Sequence, residues 1–236
     1  SETLVIDGAT YRFDASGYMR TGWVFDGGQW YFHAASGAQA SGWVLSGVHW
    51  YYLNPDGGAM MTGWVQVGST WYYLSPSGGA MATGWLKEGG HWYYLHHGSG
   101  AMATGWVRIY LKWYHFAENG EMMTGWLELG DNFYYLDENG VIANGWRNLD
   151  GKYYYFLEDG SMAVYEWVKD KGKWYFLRSN GEMARNQMRS YKGKSYYFKA
   201  DGSMAVSEAV SWNGERYRAD QDGVCLEERP APGGHN

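Results

Sequence analysis

Trp43 and Trp50 stand seven residues apart, with Ser46-Gly47 between them and Tyr51-Tyr52 directly behind. The grouping returns as Trp23 with Trp30, Trp64 with Trp71, Trp85 with Trp92, Trp106 with Trp113, and Trp167 with Trp174. An indole offers no acid, base or nucleophile. It offers a flat face carrying negative quadrupole charge. Converging rings can cage a cation, and a quaternary ammonium suits such a cage because it has no hydrogen-bond donors to satisfy. The same faces can stack on sugars, or simply fill a core. The register of Tyr51, Tyr72 and Tyr93 is assigned to the core. The two Trp registers are assigned to a ligand, because a purely structural repeat could fill both with Leu or Val.

Something must bring these rings together. Gly-Trp pairs fall at Gly22-Trp23, Gly42-Trp43, Gly63-Trp64, Gly84-Trp85, Gly105-Trp106, Gly125-Trp126 and Gly145-Trp146, always 20 or 21 residues apart. Glu166-Trp167 continues the register, and Met188 and Ala209 then hold the Trp slot. All of the 15 Trp except Trp212 lie on the two registers. Turn pairs such as Asp26-Gly27, Ser46-Gly47, Val67-Gly68 and Glu88-Gly89 separate the aromatic runs, which is a hairpin signal. With Ser46-Gly47 as the turn, Leu45 opposes Val48 and Trp43 opposes Trp50. Alternation along the strand puts Tyr52 on their face and Tyr51 and Leu53 on the other.

A lone hairpin is marginal in water. The repeats must therefore stack, which predicts an all-β solenoid of about ten hairpins. The expected organisation is one repeat solenoid over 1–228. Within it, 1–21 is an N-terminal cap, 22–185 the core repeats and 186–228 a degenerate C-terminal cap. Residues 229–236 read as a flexible tail.

Composition agrees. The chain has 236 residues with 15 Trp, 22 Tyr, 8 Phe and 35 Gly, which disfavours helices. So aromatic a chain can bury too much surface to stay disordered. The formal charge of -6 argues against a nucleic-acid partner. No apolar run is long enough to span a membrane. No basic stretch followed by an apolar one opens the chain, so a fragment or mature form is expected. The single Cys225 stands where an earlier loop has Met204, and is expected in the core.

Gly63-Trp64-Val65, Trp71-Tyr72-Tyr73-Leu74 and Gly79-Ala80-Met81-Ala82-Thr83 together resemble the choline-binding, or cell-wall-binding, repeat of Gram-positive surface proteins and wall hydrolases. The likeness runs from residue 8 to 226 and weakens after Trp146. It implies a left-handed superhelix of β-hairpins with choline held between successive hairpins. In that family two aromatics come from one hairpin, one from the next, and often a Met as a lid. The sites so implied are Trp23, Trp30 and Tyr52; Trp43, Trp50 and Tyr73; Trp64, Trp71 and Tyr94; and Trp106, Trp113 and Tyr135. Met60, Met81 and Met102 are the implied lids. Trp85 and Trp92 would be closed by His115, whose charged form would repel choline. Trp126 with Phe133 and Trp146 with Tyr153 make weaker sites. Trp167, Trp174 and Tyr197 make a late one.

The implied partner is choline or phosphocholine on teichoic or lipoteichoic acids, and the implied setting is the secreted, wall-bound surface of a Gram-positive bacterium. The family also implies choline-promoted homodimers, to which Trp212 or Tyr217 would contribute. Later units resemble glucan-binding repeats as well, so a carbohydrate ligand stays open, as does a rod with a protein partner. No cofactor is expected. His91, His96 and His97 lack metal-site spacing. Asp137-Glu138-Asn139-Gly140 lacks the last ligand of a calcium loop. Glu118, Glu121 and Glu128 have no scaffold to hold them as a glycosidase pair. No catalytic residue is assigned.

Overall fold

The computed structural model describes residues 2–228, so the tail expected at 229–236 lies outside them. Regular structure among the described residues is entirely β. It begins with β1 (Glu2–Ile6), β2 (Ala9–Phe13), β3 (Gly22–Asp26), β4 (Gln29–His33), β5 (Gly42–Ser46), β6 (His49–Leu53), β7 (Gly63–Val67) and β8 (Thr70–Leu74). It continues with β9 (Gly84–Glu88), β10 (His91–Leu95), β11 (Gly105–Ile109), β12 (Lys112–Phe116), β13 (Gly125–Leu129), β14 (Asn132–Leu136), β15 (Gly145–Leu149) and β16 (Lys152–Phe156). It closes with β17 (Glu166–Asp170), β18 (Lys173–Leu177), β19 (Gln187–Tyr191), β20 (Lys194–Phe198), β21 (Ala209–Trp212), β22 (Glu215–Ala219) and β23 (Cys225–Glu227). Each odd strand up to β21 pairs with the next, giving eleven hairpins, and β23 joins the last as a third strand.

The turns sit one residue later than the sequence suggests. Ser46 pairs with His49, so the two-residue turn is Gly47-Val48, and Gly47 has φ of 63°. Hairpin turns that match strand twist need a positive φ at their first central residue, and Gly47 rather than Ser46 supplies it. Trp43 therefore faces Tyr52 across the ladder, and Trp50 faces Leu45. The two indoles are diagonal neighbours, not direct partners. Moving the turn by one residue shifts every pairing by two, so the faces survive: Trp43, Leu45, Trp50 and Tyr52 share one side. The turn of β11–β12 has no glycine. Tyr110 and Leu111 take φ of 46° and 68° there, which L-residues adopt at a cost of about 1–2 kcal/mol each.

Two compact units result. One runs to Ile109 and includes His115–Met122; the other comprises Tyr110–Tyr114 and the residues from Met123 on. From β6 to β20 the last residue of each hairpin's second strand is fully buried: Leu53, Leu74, Leu95 and Phe116 in the first unit, Leu136, Phe156, Leu177 and Phe198 in the second. Each loop then folds back on its own hairpin, with bridges Leu53↔Met60, Leu74↔Met81 and Leu95↔Met102. Cys225 is buried with Ala205, Val210 and Ala219, in the core as expected.

The β3–β4 hairpin departs from the pattern. His33 holds the buried position that Leu53 fills one repeat later, and it is 0 % exposed. Its Nδ1 lies 2.8 Å from the Gly37 carbonyl and its Nε2 3.2 Å from an Arg12 guanidinium nitrogen. Burial, with the Arg12 charge adding to it, pushes the His33 pKa below the ordinary value, so the ring is kept neutral. The Arg12 guanidinium itself lies 3.7 Å over the Tyr31 ring. Tyr31 is the β4 counterpart of Tyr51, and it is faced by the chain's own cation.

Candidate functional site

Hairpins that stack in one direction present opposite faces to each other. The Trp-bearing face of one hairpin must therefore meet the other face of the next, which carries Tyr51 and its equivalents. The structure places the rings this way. Trp23 lies 4.7 Å from Tyr51, Trp43 lies 4.8 Å from Tyr72, and Trp64 lies 4.9 Å from Tyr93. In the second unit Trp126 meets Tyr154 at 5.0 Å, Trp146 meets Tyr175 at 5.0 Å and Trp167 meets Tyr196 at 4.9 Å. All six contacts are edge-on, as aromatic quadrupoles prefer.

The tyrosine of the next hairpin that meets each indole therefore comes from the other register than the one expected. Tyr52, Tyr73 and Tyr94 are buried, and they belong to the hairpin after the one they were expected to serve. Tyr52 packs on its own Trp43 at 5.0 Å, Tyr73 on Trp64 at 5.1 Å, Tyr94 on Trp85 at 5.3 Å and Tyr135 on Trp126 at 5.4 Å. Tyr197 joins the core cluster of Ala205 and Cys225. His115 does not close the Trp85–Trp92 position. It lies 4.8 Å from its own Trp106, and burial pushes its pKa below the ordinary value, which favours the neutral ring.

The first cleft is lined by Trp23, Trp30, Tyr51 and Met60, with Phe25, Gln29, Thr62, Pro76 and Ser77 around its rim. Its volume is about 690 Å³, room for a small organic ligand. Trp23 and Trp30 are perpendicular at 6.5 Å, and the Trp23 Nε1–H donates to Ser46 Oγ of the next hairpin at 3.1 Å, which fixes the indole. The Met60 N–H donates to the Trp30 carbonyl at 2.7 Å, bringing the thioether to the cleft. The same bond joins Met81 to Trp50 and Met102 to Trp71. A Cβ at Gly79 would overlap the Met60 side chain, so that glycine lets the next loop close over it.

The second unit repeats the arrangement. Trp167, Trp174, Tyr196 and Met204 line a cleft of about 280 Å³, joined by Asp222. Its two indoles are 6.4 Å apart and perpendicular. Trp85 and Trp92 keep the same geometry at 6.1 Å in the first unit. Trp106 belongs to the first unit, whereas Trp113 and Tyr135 belong to the second. The second indole of a pair stays open to solvent: Trp30, Trp50, Trp71, Trp92, Trp113 and Trp174 are all between 39 and 45 % exposed. A core role would bury them. Perpendicular ring faces, a third ring and a thioether, with one face open, form a receptacle for a soft, donor-free cation.

Similarity to known proteins follows the same lines. The family model described as the choline-binding repeat matches residues 21–63, 61–104, 103–142, 143–188 and 164–209. Choline-binding protein F of Streptococcus pneumoniae, solved in the presence of a peptidoglycan analogue, has a TM-score of 0.68 at 29% identity, covering 94% of this chain and 90% of that one. The choline-binding domain of CbpL from the same bacterium gives 0.60 at 35%, covering 81% of this chain and 100% of that domain. The modular autolysin LytC, in complex with a synthetic peptidoglycan ligand, gives 0.66 at 32%, with 88% of this chain and 47% of that one covered. No curated protein sequence matches.

Proposed function

Because the chain belongs to the choline-binding repeat family, we propose that it is a cell-wall-binding module that takes choline groups between successive hairpins. The observation that carries this reading is the recurring set of two perpendicular indoles, a tyrosine from the next hairpin and a methionine from the following loop. In the first cleft these are Trp23, Trp30, Tyr51 and Met60; in the last they are Trp167, Trp174, Tyr196 and Met204. Trp43, Trp50, Tyr72 and Met81, and then Trp64, Trp71, Tyr93 and Met102, make the sites between. The indoles fix where the ammonium sits, and the exposed one gives it a way in. The module binds and does not catalyse. Residues 22–185 supply the indole pairs, while 186–228 close the stack and lend Tyr196 and Met204 to the last site.

Each partly open ring contributes about 0.5–2 kcal/mol to a bound cation. Three rings then give about 2–5 kcal/mol, a dissociation constant between roughly tens of millimolar and a few tenths of a millimolar. Such a site is a weak anchor alone. Several on one chain, facing a polymer that carries many choline groups, gain roughly 10²- to 10⁴-fold from effective concentration. The fitting polymers are teichoic and lipoteichoic acids, which would hold the protein at the surface of a Gram-positive bacterium.

The test is a titration followed by intrinsic Trp fluorescence, with glucose and dextran as parallel titrants. Saturation at millimolar choline and silence with the sugars is the expected result. A response to dextran alone would move the clefts to the glucan-binding class. Silence with all three would remove the ligand from this reading.

A further inference from the structure

The residue paired across the ladder with the second indole differs from repeat to repeat. It is Phe25 opposite Trp30, Leu45 opposite Trp50, Gln66 opposite Trp71, Lys87 opposite Trp92 and Lys169 opposite Trp174. It stands on the same side of the hairpin as the indole; Phe25 lines the first cleft, 5.2 Å from Trp30. The two lysines reach their indoles as cations. Lys87 Nζ is 5.6 Å from the Trp92 ring centre, and Lys169 Nζ is 5.4 Å from that of Trp174.

The first and last clefts thus differ in charge. Every residue lining the Trp23–Trp30 cleft is uncharged. The Trp167–Trp174 cleft has the Asp222 carboxylate on its wall and the Lys169 ammonium over its outer indole. Lys173, further along the same pair of strands, is occupied by Asp201 at 3.2 Å. A bare quaternary ammonium on Trp174 would meet a like charge within a few ångströms. A ligand that carries its own anion beside the ammonium would not, because the anion falls toward Lys169 while the ammonium faces the rings and Asp222.

We infer that the clefts are graded in specificity, the first reading a quaternary ammonium alone and the last a zwitterion in which the ammonium is joined to a phosphodiester. Lys169 is the residue that sets the difference. The inference rests on the choline reading above and assigns the form of choline that the last cleft takes. Choline linked through its oxygen to a polymer phosphate has this zwitterionic form; free choline does not.

The experiment uses the full chain labelled with ¹⁵N, in which each indole N–H gives its own signal. Choline and glycerophosphocholine are titrated separately at low salt. The Trp174 signal is expected to saturate at roughly three- to tenfold lower glycerophosphocholine than choline, since an exposed like charge a few ångströms away acts on that scale. The Trp30 signal should show no such preference. Lys169→Gln, at an exposed strand position, should remove the preference at Trp174 and leave Trp30 unchanged, while Lys169→Arg keeps it. Equal responses of Trp174 to the two ligands, or a preference that survives Lys169→Gln, would overturn the grading and leave choline binding intact. If no indole signal moved with either ligand, the choline reading itself would fall.

Discussion

Tyr51 and Tyr52 are adjacent in sequence and chemically identical, yet the structure gives them opposite duties, and alanine at each should separate those duties. Tyr52 is buried against Val65 and Leu74 and packs on Trp43. Removing its ring leaves a hole, and the cost for a buried aromatic is about 3–5 kcal/mol. Tyr51 is half-buried, with one edge on Trp23 and the rest facing the cleft. Its removal forfeits one aromatic contact, about 0.5–1.5 kcal/mol of stability. It also forfeits one cation–π contact, about 1–2 kcal/mol of binding in that cleft, or roughly five- to thirtyfold in dissociation constant. Urea unfolding reads the first quantity, and choline titration of the Trp23 and Trp30 indole signals reads the second. Tyr51→Ala should be nearly as stable as the parent and weak at these two signals only. Tyr52→Ala should unfold at clearly lower urea and, where still folded, keep them. The reverse outcome, with Tyr52→Ala stable but silent at Trp30 and Tyr51→Ala binding normally, would refute the face-to-back stacking argument.

Other perturbations test the frame around the clefts. His33 is neutral in the fold, with a pKa below its unfolded 6.5, so the stability it contributes is complete above that pH and is lost as pH falls below it; His33→Leu should flatten that decline in urea midpoints measured from pH 7 to 5. Asp201 is held at a pKa of about 2 chiefly by the Ser203 hydroxyl, at 2.6 Å, so its contribution is present above pH 3.8 and fades as pH drops toward 2; Ser203→Ala should move the Asp201 carboxyl signal, followed by ¹³C NMR, to a higher titration midpoint. Leu111→Gly relieves a left-handed residue at an exposed turn and should stabilise by about 1 kcal/mol in thermal unfolding. Gly79→Ala puts a methyl group into the Met60 side chain at φ of 72°, and should cost about 1–3 kcal/mol in urea unfolding while weakening choline at Trp30.

The repeat period, the hairpins and both indole registers are legible in the sequence because each rests on a local rule: glycine at turns, and alternation of faces. The pairing across the ladder was harder. Ser46-Gly47 and Gly47-Val48 are both acceptable turn pairs on paper, and only the need for a positive φ at the first central residue separates them. The tyrosine that meets each indole is hidden for a different reason. Tyr52 shares a face with Trp43, and a face cannot cover itself in a one-way stack. The partner of Trp23 had to come from the opposite side of the next hairpin, which is where Tyr51 points. Alternation contains that answer once stacking is considered together with it. Asp222 could not be found this way, because it reaches the last cleft from a loop two hairpins further on. Nor could the neutral state of His115, which depends on its burial beside Trp106.

The bond from Met60 to the Trp30 carbonyl spans thirty residues, and with Tyr51 it makes one cleft the shared product of consecutive repeats. No repeat carries a receptor of its own. Each supplies the floor of one pocket and the roof of its neighbour. Copying one period of sequence therefore creates a complete new pocket without altering those on either side, and deleting one removes a single pocket and rejoins the rest. Valency in such a chain can be raised or lowered one step at a time by recombination between similar stretches of its gene, and individual pockets are then free to differ in charge, as the positions of Phe25 and Lys169 do, while their neighbours maintain attachment.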